Sequence, residues 1–136
     1  MTFMIGMVSC VAVFVLQAGN EPYSPDRHRS TIKSSFTSAE AAMKSFAAKK
    51  ATRDETAAKL GKLMGTSRRL QTSLNFWMQQ GQKVDGQKAI RVIQLSGTFD
   101  AYISSSILGL EGDATSREFG KVLSRRLSQW LGVKPS

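Results

Sequence analysis

A chain of 136 residues with 41% hydrophobic residues, 21% charged residues and three prolines has the composition of one folded domain, which excludes a disordered or linker-rich protein. Nineteen Lys and Arg against ten Asp and Glu leave a net charge of +9, which calls for an anionic partner, acidic neighbours in a complex, or a membrane surface. The single cysteine, Cys10, excludes an intramolecular disulfide and a thiolate zinc site.

The first predicted element is Phe3–Ala18 (FMIGMVSCVAVFVLQA), which carries no charged side chain. As a helix it would measure roughly 24 Å, somewhat under the ~30 Å of a bilayer's hydrocarbon core, a gap that thinning or adaptation at the ends can close. A cleaved signal peptide is the competing reading, but no Lys or Arg precedes the run and Leu16-Gln17-Ala18 is a mediocre cleavage site. The expectation is a retained anchor over residues 1–18. Arg27, Arg29 and Lys33 all follow it, which by the positive-inside bias places the body on the cytoplasmic or matrix side.

Residues 19–36 begin GNEPYSPDRHRSTIKSS, with two prolines, four serines and no periodicity, and read as a linker or extended arm. The helical body is expected over residues 37–132, followed by a tail at 133–136. Thr37 with Glu40 forms a capping-box pattern ahead of the Ala- and Lys-rich AEAAMKSFAAKK, which predicts a helix start. A second such pattern, Thr52 with Glu55, either breaks the helix or lies within one long solvated helix, and continuation or a mild kink is the expectation. Leu60, Leu63, Leu70, Leu74 and Trp77 then recur in three- and four-residue steps, with Ser67 at the missing step, as a seam for a neighbouring helix. Gly61 and Gly65 in that seam suggest a close helix approach.

GQKVDG at residues 81–86 signals a turn, with Asp85 placed to cap a helix over about 87–110. Ala89, Val92, Ser96, Phe99, Ile103, Ile107 and Leu110 share one face of it. After Glu111-Gly112-Asp113, Thr115 with Glu118 predicts a last helix whose inner face is Phe119, Val122, Leu123, Leu127 and Trp130, ending at Gly132 with Pro135 beyond. The predicted class is all-α: an N-terminal anchor helix, an arm, and a small bundle of three or four helices.

Catalytic chemistry finds little support. The only histidine, His28, falls between Arg27 and Arg29 in the predicted arm and is expected to be a solvated loop residue. Asp54 and Glu55 are adjacent and point apart, the Glu111/Asp113 turn has too few ligands for calcium, and no glycine-rich loop carries a phosphate-binding lysine. No cofactor and no metal are expected.

Charge is the remaining signal. Residues 37–80 carry +5 and residues 113–136 carry +3, while residues 81–112 are neutral. The pairs Arg68-Arg69 and Arg125-Arg126 could grip phosphates or acidic groups, and Trp77 and Trp130 offer apolar contacts. The sequence therefore leads to a non-enzymatic accessory or structural subunit of a membrane-bound assembly. It would meet other subunits through basic helices at Arg68, Arg69, Arg125, Arg126, Trp77 and Trp130, and lipid through residues 3–18. The alternatives are a protein that binds nucleic acid or anionic lipid, and an exported helical protein with a cleaved signal.

Overall fold

A computed structural model describes residues 21–134. Four helices build the described fold: α1 (Pro25–Ala47), α2 (Arg53–Gln79), α3 (Gly86–Leu110) and α4 (Ala114–Leu131). The predicted anchor lies outside the described residues, and none of the described helices is long and apolar enough to cross a membrane.

The predicted arm is mostly helix. Ser24 caps α1 by accepting from the Arg27 amide at 3.2 Å, Pro25 occupies the first turn, and Asp26 adds an acid where the helix dipole favours one. From there His28, Ile32, Ser35, Phe36, Ala39 and Ala42 recur at helical spacing and are buried. That stripe makes residues 25–36 part of the body and corrects the arm reading. Thr37 caps nothing, and its hydroxyl donates back to the Lys33 carbonyl at 3.0 Å.

The chain breaks where continuation was expected. Lys49 takes a left-handed conformation (φ 61°), and Thr52 caps α2 by accepting from the Glu55 amide at 3.1 Å. The cap satisfies amides that an unbroken helix would have bonded internally, so a turn competes on equal terms. Asp85 caps α3 through the Gln87 and Lys88 amides, as the GQKVDG turn predicts. The last helix opens two residues earlier than expected, because Asp113 accepts from the Ser116 amide at 3.1 Å. Gly132, with φ 67°, closes α4 in the left-handed conformation that glycine adopts without strain.

Helix α3 is the axis of the molecule, packed against each of the other three, whereas α4 rests broadly on α3 alone. Ile32, Phe36, Leu60, Phe99, Ile103 and Leu127 meet in the core with almost no exposure, each contributing about 1.5–3 kcal/mol by burial. Leu60, Ser67 and Leu74 of the predicted seam are buried, and the Ser67 hydroxyl meets that of Ser96 on α3 at 2.9 Å, so the polar step in the seam is satisfied.

Two packing expectations are corrected. A Cβ added at Gly61 or Gly65 would meet nothing within 4 Å, so no helix approaches there; the close contact is at Gly109, where it would lie 3.1 Å from the Arg117 Cα, while at Gly120 it would stand at an ordinary 3.5 Å from the Ser106 hydroxyl. Helix α4 settles on α3 through a stripe of Gly120, Leu123, Leu127 and Leu131. This rotates Phe119, Val122 and Trp130 outward, where about half of each is exposed.

Candidate functional site

Because α1 and α4 both lie on α3, a cleft of about 660 Å³ opens between them. Its apolar floor comes from Met43 and Phe46 of α1, Tyr102, Gly109 and Leu110 of α3, and Gly120 of α4. Lys44, Arg117, Lys121 and Arg125 form a cationic rim. Glu40 and Ser124 close one end, the serine hydroxyl donating to the carboxylate across the cleft. Arg117 is held in place by donating to the Gly109 carbonyl at 3.2 Å, at the end of α3 where backbone carbonyls lack helical partners and attract cations.

Beneath the rim, the Tyr102 hydroxyl is buried without a hydrogen-bond partner. Burial, and secondly the Glu40 carboxylate, push its pKa well above the ordinary tyrosine value, so it remains a neutral donor facing the cleft. An apolar trough with a polar atom at its base and cations along its edges suits an amphipathic segment with acidic flanks.

The arginines singled out from sequence do not converge. Arg68 lies 3.6 Å from the Asp100 carboxylate across the α2–α3 interface, and Arg69 donates to the Thr66 hydroxyl at 3.2 Å. Burial raises the Asp100 pKa, while the Arg68 charge opposes that shift. Arg125 lines the α1–α4 cleft. Its neighbour Arg126, turned about 100° around the helix, lies over the Trp130 ring at 6.0 Å. Trp77 is half-buried beside Phe76, with ring centroids 5.4 Å apart, and its indole N–H is buried without an acceptor.

A second cleft, of about 480 Å³, joins three helices: Asp26 and Arg29 from α1, Lys88 and Arg91 from α3, and Trp130 from α4. Arg29 donates to the Trp130 carbonyl at 2.9 Å, and Lys88 lies 3.5 Å from Asp26. The Trp130 ring has its cation four residues away in Arg126, whereas its backbone carbonyl is met by Arg29 from 101 residues away. Periodicity and spacing hold no trace of that meeting.

His28 is fully buried, a correction to the solvated-loop expectation that follows from α1 beginning upstream of it. Its Nδ1 lies 2.6 Å from the Tyr23 hydroxyl, with the rings edge to face at 5.5 Å, and its Nε2 has no partner. Burial holds the His28 pKa down at about 4 and raises that of Tyr23 to about 12. Tyr23 is in turn pinned by Gln82, whose amide accepts from the Tyr23 N–H at 2.9 Å and donates to its carbonyl at 2.7 Å. Both rings are closed to solvent and act as a fastening between the start of α1 and the α2–α3 turn. Among the described residues, no group of three or more His, Cys, Asp or Glu stands together to hold a metal ion.

No protein-family model, curated protein or solved structure matches the chain.

Proposed function

We propose that the protein is a non-enzymatic accessory subunit of a membrane-bound assembly, tethered by Phe3–Ala18 and receiving an acidic amphipathic helix of another subunit in the cleft between α1 and α4. The observation that carries this reading is the pairing of an apolar floor (Met43, Phe46, Leu110) with a cationic rim (Lys44, Arg117, Lys121, Arg125). Apolar anchors on the incoming helix would supply affinity, and charge at the rim would set partner choice and association rate.

The test is purification of the tagged full chain from native membranes, with a photo-crosslinker placed at Met43. The expected result is a crosslink from position 43 to an acidic helix of one co-purifying subunit. It is lost in the Arg117→Glu/Lys121→Glu/Arg125→Glu variant and retained in Arg68→Glu/Arg69→Glu, both with unchanged circular dichroism. A chain that purifies alone and monodisperse, or a rim variant that crosslinks as well as the wild type, refutes the proposal.

A further inference from the structure

We propose that the end of the bundle where α1 begins is a docking surface for an anionic phospholipid bilayer. This rests on the reading of Phe3–Ala18 as a membrane segment, and not on the α1–α4 cleft. The antiparallel order brings the start of α1, the end of α2, the start of α3 and the end of α4 together at this end. The Tyr23–Gln82, Asp26–Lys88 and Arg29–Trp130 contacts join them.

Cationic and apolar side chains gather there, beside Asp26, which pairs with Lys88. Arg29, Lys88, Arg91 and Arg126 supply positive charge around Trp130, which is 48% exposed and has Arg126 over its ring. Ile90 on the first turns of α3 and Met78 at the end of α2 are also exposed, at 58% and 56%. Cations attract the anionic headgroup layer, while a half-exposed tryptophan and exposed aliphatic side chains at the same end of the bundle suit the boundary between headgroups and acyl chains. A protein facing only water has no use for that combination at one end.

Chain length decides which end can face the bilayer. Four residues lie between Ala18 and Tyr23, which makes five steps of at most about 3.6 Å each in a fully extended chain, so Tyr23 lies within roughly 18 Å of the segment's end. Tyr23 is held on the bundle by both hydrogen bonds to Gln82. The far end of α1 is 23 residues away, about 35 Å along the helix, and is out of reach of the surface in an upright bundle. A chain embedded through residues 3–18 thus presents Arg29, Lys88, Arg91, Arg126 and Trp130 to the headgroups.

The test uses the full chain carrying Trp77→Phe, which leaves Trp130 as its one tryptophan, reconstituted into vesicles with bromine on the upper acyl chain. One set is phosphatidylcholine alone and the other contains phosphatidylglycerol. The expected result is a blue-shifted Trp130 emission quenched several-fold more in the anionic vesicles, with the excess removed by high salt and by Lys88→Gln/Arg91→Gln/Arg126→Gln. Salt on the unsubstituted cations gives the same answer should the triple variant misfold. Co-sedimentation with vesicles while Trp130 stays unquenched in both sets overturns the docking surface and leaves the membrane segment standing; failure to co-sediment overturns both. A Trp130 that responds to a single-stranded oligonucleotide and not to vesicles overturns the proposal in favour of nucleic acid.

Discussion

The two ends of the bundle are held by opposite means. Where α1 begins, polar side chains do the fastening: His28 and Tyr23 bury their hydrogen bond, Gln82 clasps the Tyr23 backbone, and Arg29 reaches the Trp130 carbonyl. At the other end, where α3 turns into α4, the helices come close because a side chain is missing, at Gly109 against Arg117. A junction of buried polar groups responds to protons; one made by glycine responds to volume. Connected through one core, they should fail under different insults.

The largest expected effect breaks the first end and spares the second. Unfolded, His28 titrates near 6.5, and folded it titrates near 4, so between those values the unfolded chain binds more protons. A second proton would place a charge in a closed pocket where Nε2 has no partner. The stabilisation is therefore complete above about pH 6.5 and is lost as pH falls towards 4, by on the order of 3 kcal/mol. Denaturant melts between pH 7 and 4 should show this loss. His28→Gln, which keeps a partner for the Tyr23 hydroxyl, should flatten the pH dependence by a similar amount. Equal slopes in the two proteins would show that His28 is not the sensor.

The next effect, in size, breaks the second end. Gly109→Leu places a good helix former where the Arg117 backbone leaves no room, so the loss comes from packing and not from helix propensity. A destabilisation of about 1–3 kcal/mol is expected, alike at pH 7 and pH 5. Hydrogen exchange should quicken first in the amides of α4. A variant as stable as the wild type would mean that α4 can slide on α3 at no cost.

The smallest effect sharpens the contrast between glycines. Gly61 lies inside α2 with open space where its Cβ would stand, so Gly61→Ala removes backbone entropy from the unfolded chain and meets no neighbour. A gain of about 0.5–1 kcal/mol in thermal or denaturant unfolding is expected. A loss at Gly61 would restore the close helix approach that its spacing with Gly65 suggests.

Part of this organisation could be read along the chain. The all-helical class, the extent of α3, the Asp85 cap and the Gly132 stop follow from periodicity and capping chemistry, which act over three or four residues. The start of α1 was equally present in Ser24-Pro25-Asp26, a cap, a first-turn proline and a first-turn acid. Two prolines in a serine-rich stretch suggest an arm only while that order of residues is overlooked. Arg125 was recognisable as a basic side chain on a helix, but its facing partners Lys44 and Tyr102 were not.

The sequence by itself determined the all-helical class, the extent of α3 and the stop at Gly132, because those depend on neighbours within one turn. Tertiary structure alone decided which glycines are points of contact, which face of α4 turns inward, that His28 is sealed away, and that Trp130 joins the cations of α1 and α3. Phe119, Val122 and Trp130 have the hydropathy of an inner face, yet the stripe of Gly120, Leu123, Leu127 and Leu131 is the one packed on α3, and that packing sets the rotation of the helix. The contacts that assemble the end where α1 begins reach across 59 and 101 residues, a separation at which local pattern carries no information about what will meet.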